Sequence, residues 1–362
     1  MSRFAVEVIG VAKRFGKVAA LDGIHLTIRP NEFVSLLGPS GCGKSTLLRI
    51  VAGFEFPTTG RVLIHGKDTT RVPPERRPTN IVFQRGALFP HMNVFDNIAY
   101  SLKLRKWPKP RIAAKVEEML SLVHLENLGH RGATELSGGQ IQRAALARAL
   151  AAEPSVLLLD EPLSALDLKL RQQMQIELRA IQRKLRATFL FVTHDQTEAL
   201  VMSDRIAIMN EGRIIQEGTP QEVYTRPVSA FASGFIGETN LLQGIVVSTE
   251  DLVVTLAVGE EGHFRAKTSL PLAPGTRVTL SVRPEAIRVG VRESSGNGQG
   301  MLGHIGEVVY LGSRIRIGAV TRNGAVVWAD LRDDEAEGLK AGTPVVLSWA
   351  PSAASVWAES SD

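Results

Sequence analysis

Residues 38–46 read GPSGCGKST and satisfy the spacing Gly-x-x-x-x-Gly-Lys-Ser through Gly38, Gly43, Lys44 and Ser45. The apolar run before them, ending at Leu37, predicts a buried strand. Residues 46–52 are helix formers, and Gly53 stands where a helix would stop. Strand, glycine loop and helix in that order is the context such a loop needs. Glycines let backbone N–H groups converge on phosphate oxygens without Cβ clashes. The helix N-terminus adds a fixed positive partial charge. Lys44 is expected to reach the outer phosphates of a nucleotide, and the Ser45 hydroxyl to bind Mg²⁺. Pro39, Ser40, Gly41, Cys42 and Thr46 complete the expected cradle. A thiol at a helix start, as at Cys42, favours the thiolate; a buried, unreactive thiol is the other reading.

The chain has 362 residues, enough for two or three domains. Hydrophobic residues make up 44% and charged residues 22%, so a proper core is expected. The net charge is +5, but the basic residues are scattered. The densest cluster, KLRKWPKPR at 103–111, is short and holds two prolines, which argues against a nucleic-acid partner. With one cysteine, no disulfide can form within the chain. The N-terminal run FAVEVIGVA is interrupted by Glu7 and followed by Lys13-Arg14, unlike a signal peptide or membrane span. A soluble chain is expected, with any membrane role exerted through a partner.

Residues 4–34 read as short strands with turns at Gly16-Lys17 and Asp22-Gly23. Phe15 either stacks on a base ring or is a partly buried strand residue. Residues 61–64 are strand-like, 72–78 (VPPERRP) form a proline-rich loop, and 81–84 form an apolar strand ending in Gln84. At such a strand end Gln84 would face ligand. The next loop, RGALFPHMNV, gathers Leu88, Phe89, Pro90 and Met92, which suits partner docking or local packing. From 94 to about 128 the pattern is helical, with Val116, Met119, Leu120 and Val123 apolar.

Residues 135–143, ELSGGQIQR, open a helix of small residues stopped by Pro154. Ser137 is a good N-cap, and Gly138 and Gly139 leave N–H groups bare at the helix start. This is a second anion cradle. One active site seldom needs two from a single chain, whereas a site closed across two chains does. Residues 155–159 form an apolar strand that ends in Asp160 and Glu161. Asp160 is placed to hold Mg²⁺, and Glu161 to orient and deprotonate an attacking water. SALD at 164–167 starts a helix through Arg186. A last strand, 189–192, ends at Thr193-His194-Asp195, where His194 could hydrogen-bond a transferring phosphate.

Together these residues resemble the nucleotide-binding subunits of ABC transporters over about residues 4–236. GPSGCGKST is similar to the Walker A motif, Gln84 to the Q-loop, LSGGQIQR to the family signature, VLLLDEP to Walker B, SALD to the D-loop and His194 to the H-loop. The resemblance implies an α/β P-loop NTPase cassette, here residues 1–236, with a helical subdomain at about 88–152. It implies catalytic roles for Glu161, His194, Lys44 and Gln84, and Mg²⁺ contacts from Ser45, Gln84 and Asp160. Phe15 falls where the family has its adenine-stacking aromatic, and Asp167 where a D-loop residue meets nucleotide. A head-to-tail homodimer would hold two ATP, each between the Walker A of one chain and Ser137, Gly138, Gly139 and Gln140 of the other. Two membrane-spanning permease subunits, an extracytoplasmic solute-binding protein and a place on the cytoplasmic face of the membrane also follow from the resemblance. Arg85 and Gly86 stand where many such importers carry Asn or Ser and then an aromatic, which bears on permease docking and not on catalysis.

From about Glu238 short alternating runs separated by Gly- and Pro-rich turns predict a small antiparallel β domain over 237–362. They fall at 244–247, 252–258, 278–282, 305–309, 314–317, 326–329 and 345–349. ESSGNGQG at 293–300 reads as a flexible loop. The region resembles the OB-like TOBE domain of importer ATPases. FIGETNLLQG, SVRPEAIRV and VVLSWAPSAASVW most resemble the polyamine-type branch, with ferric iron, 2-aminoethylphosphonate and sugar branches as alternatives. Such a domain serves either as a dimer brace or as a small-molecule sensor. The function expected is ATP hydrolysis that energises a solute importer. A non-transport ABC ATPase acting on nucleic acid or ribosomes is the reading from another class; one cassette and no heptad run count against it. A module that only senses solute is the third.

Overall fold

The computed structural model describes residues 3–84, 88–164, 166–268, 271–291 and 300–359. Arg85 and Gly86, Ala165 of SALD and nearly all of the 293–300 loop lie outside the described residues. Contacts divide the chain into Met1–Val223 and Tyr224–Asp362.

The first unit begins with a hairpin, β1 (Val6–Phe15) and β2 (Val18–Ile28), turned at Gly16-Lys17 with Gly16 at φ 57°. The turn expected at Asp22-Gly23 is a bulge instead. Val11 pairs with Ile24 and Lys13 with Leu21, so two residues of β2 oppose one of β1 and the strand runs on. β3 (Phe33–Leu37) is buried at every position, and α1 (Lys44–Ala52) follows the glycine loop. Gly53 ends α1 at φ 88°, its N–H returning to the Arg49 and Ile50 carbonyls. β4 (Thr59–Ile64) and β5 (Lys67–Asp68) complete a four-stranded antiparallel sheet in the order β2-β1-β4-β5.

β6 (Thr79–Val82) comes next, then α2 (Val94–Leu104) and α3 (Lys109–Leu122). The helical region expected over 94–128 is therefore two helices. It breaks at Lys106, φ 56°, just before Trp107-Pro108, because proline offers no N–H and turns its predecessor out of the helical region. α4 (Gly138–Ala151), β7 (Val156–Asp160), α5 (Leu168–Leu185), β8 (Thr188–Thr193), α6 (Gln196–Met202), β9 (Arg205–Asn210), β10 (Arg213–Gly218) and α7 (Pro220–Thr225) follow. A six-stranded sheet runs β10-β9-β3-β8-β7-β6, parallel throughout except for the edge strand β10.

Both faces of this sheet are covered, so its central strands β3, β8 and β7 are buried at every position and mostly apolar. Leu157, Leu159, Phe189 and Phe191 join a core with α2 to α5. Val156, Leu158, Leu190 and Val192, on the other face, pack with α1 and the antiparallel sheet. The order β3-β8-β7 brings three carboxyl strand ends side by side, where open α/β sheets bind ligands.

The second unit is β-rich. After α8 (Ala230–Phe235) come β11 (Asn240–Glu250), β12 (Val253–Ala257), β13 (His263–Lys267), β14 (Arg277–Val282), β15 (Arg288–Val291), β16 (Met301–Tyr310), β17 (Ile315–Thr321), β18 (Val326–Leu331), β19 (Pro344–Ser348) and β20 (Ala354–Ala358). A closed barrel, β11-β12-β13-β20-β14, and a five-stranded sheet, β15-β19-β16-β17-β18, share one apolar core. The unit starts upstream of residue 237 because α8 packs against β14 and Tyr224 against Arg283, just after that strand. Ser233 Oγ and Ser281 Oγ share a hydrogen bond at 2.7 Å, and Arg283 donates to the Ser233 and Tyr224 carbonyls. The Tyr224 hydroxyl is pushed up to about 12, first by burial and then by its hydrogen bond to Glu285. Strand β13 was not predicted: in HFRAK only Phe264 and Ala266 point inward.

Candidate nucleotide site

The glycine loop closes tightly between β3 and α1. Gly43 sits at φ 104°, and a Cβ there would strike the Ala20 carbonyl. At Gly38 a Cβ would strike the Met209 carbonyl, so the loop is threaded against two neighbouring strands. Lys44 is buried and donates from Nζ to the carbonyls of Gly38 at 2.7 Å and Pro39 at 2.9 Å. Cys42 is 4% exposed, which fits the unreactive reading of the thiol, although its Sγ lies 3.8 Å from that ammonium, a neighbour that favours the thiolate.

Ser45 Oγ donates to Asp160 Oδ1 at 2.9 Å, joining the start of α1 to the tip of β7. The next residue, Glu161, adopts φ 47°, left-handed backbone that costs a non-glycine residue about 1–3 kcal/mol. Its N–H is held by the Val192 carbonyl at 3.0 Å. This kink turns the side chain away from the strand. Glu161 Oε2 then accepts from Gln84 Nε2 at 3.3 Å and lies 3.2 Å from His194 Nδ1. Gln84 also donates to Ser164 Oγ at 3.1 Å. Three strand ends, β6, β7 and β8, thus deliver an amide, two carboxylates and an imidazole to one place beside the loop. A carboxylate so placed can take a proton from water, and an imidazole can stabilise developing charge.

Ser137 caps α4, accepting from Gln140 N at 3.4 Å while Gln140 Oε1 accepts from Ser137 N at 2.9 Å, a reciprocal capping box. Gly138 and Gly139 lie in the first turn of α4, and Gly139 approaches Leu170 of α5. Among the described residues, the side-chain hydrogen bonds of 137–140 stay within this turn and reach no residue of 38–46. Asp167 caps α5, accepting from Leu170 N at 3.0 Å. Phe15 ends β1 at 48% exposure with the Lys13 ammonium 4.7 Å from its ring centre, so one face of the ring is left open. In the loop after β6, Phe89 packs on Tyr100 and is bracketed by Asn97 hydrogen bonds.

A buried polar cluster behind His194 escaped the sequence reading. Thr193 Oγ1 donates to Glu198 Oε2 at 2.6 Å, and Asp195 N donates to Thr193 Oγ1 at 2.9 Å. Burial pushes the Glu198 carboxyl up, against the opposing pull of the Thr193 hydroxyl and Arg171. Asp195 caps α6, and Arg171 of α5 donates to Asp195 Oδ2 at 3.3 Å. The available signal was the acid three residues after an N-cap, Asp195 and Glu198.

Residues 21–164 match the ABC transporter family and residues 280–357 the TOBE domain. The chain is 48% identical over 362 residues to the spermidine/putrescine import ATP-binding protein PotA of Frankia alni, covering 96% of this chain and 78% of that protein. PotA of Thermobifida fusca is also 48% identical, over 96% of this chain and 91% of its own length. Among solved structures, cbiO1 of Clostridium perfringens, part of the ABC transporter complex cbiONQ, is 30% identical with a TM-score of 0.59, covering 65% of this chain and 93% of that one. The dimeric ATP-binding cassette MJ0796, in a post-hydrolysis state bound to ADP and Pi, is 32% identical with a TM-score of 0.54 over 59% of this chain and 98% of that one. With the glycine loop, the capped signature helix and the paired carboxylates in one cassette, the chain belongs to the ABC transporter family, in the branch of ATP-hydrolysing transport subunits that carry a TOBE domain.

Proposed function

We propose that this chain hydrolyses ATP to energise uptake of a polyamine of the spermidine or putrescine type. The Glu161, His194 and Gln84 cluster beside the Ser45–Asp160 pair carries the catalytic reading, and the names of its relatives support the solute. Lys44 and the loop N–H groups bind the phosphates, and Phe15 stacks on the adenine. Glu161 orients and deprotonates the attacking water, and His194 steadies the phosphoryl oxygens as charge develops.

The donors at Ser45 and Asp160, a hydroxyl and a carboxylate, are the hard oxygens that Mg²⁺ takes, and Gln84 adds an amide nearby. Among the described residues no group of three or more His, Cys, Asp or Glu side chains could hold a metal by itself, which suits an ion shared with substrate phosphates. Bound there, Mg²⁺ would neutralise charge on the β- and γ-phosphates.

Two copies closing head to tail would bring Ser137, Gly138, Gly139 and Gln140 of one chain, and its Asp167, to the glycine loop of the other. The dimeric MJ0796 structure supports the pairing of two such cassettes. Among the described residues no helix is long and apolar enough to cross a membrane. Translocation is assigned to two permease subunits, with solute delivered by an extracytoplasmic binding protein and this chain peripheral on the cytoplasmic side. A cavity of about 450 Å³ walled by Phe54, Phe89, Tyr100 and Arg148 supports permease docking at the cassette. Glu161→Gln tests the catalytic reading. It is expected to keep ATP binding and lose turnover by roughly 10²–10⁴-fold. Hydrolysis at the normal rate would remove Glu161 from the role of base.

A further inference from the structure

We propose that Arg171 is a positioning residue for hydrolysis, a brace tying the loop before α5 to the turn that carries His194. The proposal rests on the assignment of Glu161 and His194 to the hydrolytic step.

Arg171 stands in the first turn of α5, its N–H bonded to the Asp167 carbonyl at 2.9 Å. Its guanidinium turns back toward the sheet. One terminal nitrogen donates to the Leu166 carbonyl at 2.9 Å, and the other to Asp195 Oδ2 at 3.3 Å. Its Nε is buried without a hydrogen bond, 4.0 Å from Glu198 Oε1. Leu166 immediately precedes Asp167, and Asp195 immediately follows His194. The same cation therefore holds the neighbour of Asp167 and the neighbour of His194.

The second end of the brace is itself over-determined. Asp195 Oδ1 accepts from Thr197 N at 2.8 Å and Glu198 N at 3.2 Å, leaving Oδ2 for Arg171. Thr193, on the other side of His194, is bonded to both Glu198 and Asp195. The His194 side chain is 55% exposed and meets Glu161 Oε2 at 3.2 Å, so the placing of the backbone on either side decides whether that contact is made. An exposed ion pair would contribute little, but the Arg171 side chain is 27% exposed and forks between two loops. A planar fork can span two acceptors at fixed spacing, whereas an ammonium is a point charge. Arg171 touches none of the reacting atoms. It acts by keeping the Asp167 turn and the His194 turn at one separation, so that a second chain meeting Asp167 meets a catalytic centre in register.

Steady-state ATPase kinetics and thermal unfolding of the full chain test this with Arg171→Met, Arg171→Lys, Asp195→Asn and the double variant Arg171→Met/Asp195→Asn. Arg171→Met is expected to lower kcat roughly 10–100-fold with KM for ATP within about twofold of the parent. Arg171→Lys recovers only part of the loss. Asp195→Asn keeps the cap of α6 and loses the charge, so it lowers kcat in the same direction. The double variant is no slower than Arg171→Met, within about twofold, because both changes cut one bridge. A kcat for Arg171→Met within twofold of the parent overturns the proposal. So does a loss of thermal midpoint with kcat per folded molecule unchanged, or full rescue by lysine. Where Arg171→Met does not fold, an unchanged kcat in Asp195→Asn overturns it, and a reduced kcat at unchanged KM supports it. Glu161→Gln measured alongside separates the two readings: turnover persisting there defeats the hydrolytic assignment whatever Arg171 does.

Discussion

Ser45 and Asp160 lie 115 residues apart in the chain, yet the Ser45 hydroxyl donates to the Asp160 carboxylate at 2.9 Å. The bond exists because β7 sits two strands from β3, with β8 between them, and α1 rises from the end of β3 across that gap. It fixes the geometry of an oxygen pair that would otherwise depend on two loops.

Asp160→Asn should separate architecture from ion binding. Asparagine Oδ1 still accepts from Ser45, so the thermal midpoint stays close to the parent value. The lost charge should weaken Mg²⁺-dependent ATP binding more than tenfold, about 1.4 kcal/mol or more. Titrating nucleotide with and without Mg²⁺ reads this out; an unchanged Mg²⁺ dependence would place the ion elsewhere.

Arg77 is expected to govern stability although it is far from the chemistry. Its buried guanidinium donates to the carbonyls of Ile50, Val51, Val72 and Thr70, closing the C-terminal end of α1. Burial lowers its pKa to about 10, so it stays charged at neutral pH. Arg77→Met leaves buried carbonyls unpaired and should cost about 3 kcal/mol. Urea unfolding measures the change. Gly53→Ala should act on the same joint, since a Cβ at Gly53 would run into the Arg77 guanidinium.

The Glu198 carboxyl links folding to pH. Burial holds it above the ordinary glutamate range. Between the ordinary value and the raised one, the folded chain keeps a proton that the unfolded chain has lost, so stability falls as pH rises through that window. Glu198→Gln removes this dependence while keeping an acceptor for Thr193. Thermal midpoints of parent and variant should diverge in favour of the variant as pH climbs through the window. Parallel curves would mean that Glu198 titrates normally.

Burial of Cys42 sets its reactivity. Maleimide labelling of the native chain should run at least about tenfold slower than labelling in urea, and ATP should slow it further. Equal native and unfolded rates would show that the loop opens freely around the thiol.

The glycine loop, the helix caps and the strand-end acids were legible because their signals are local. Glycines at 38 and 43, a serine cap at 137 and carboxylates after an apolar run each report the backbone within a few residues of themselves. The bulge at Asp22-Gly23 was not legible, since the same glycine serves a turn or a bulge and only pairing with β1 decides between them. Strand β13 went unseen because two inward residues make too weak an alternation. Nothing local in the sequence marks Arg77 or Arg171, and only their long-range partners reveal what they hold.

The order of side chains alone determined a glycine loop between strand and helix, a capped helix with two glycines in its first turn and a strand-end acid pair, because sterics and capping act over a few bonds. Folding decided that Ser45 meets Asp160, that Glu161 turns toward Gln84 and His194, and that Arg171 spans two loops. Those meetings follow from the strand order β3-β8-β7-β6, which is set by burying two apolar faces at once and is written in no single stretch of the chain.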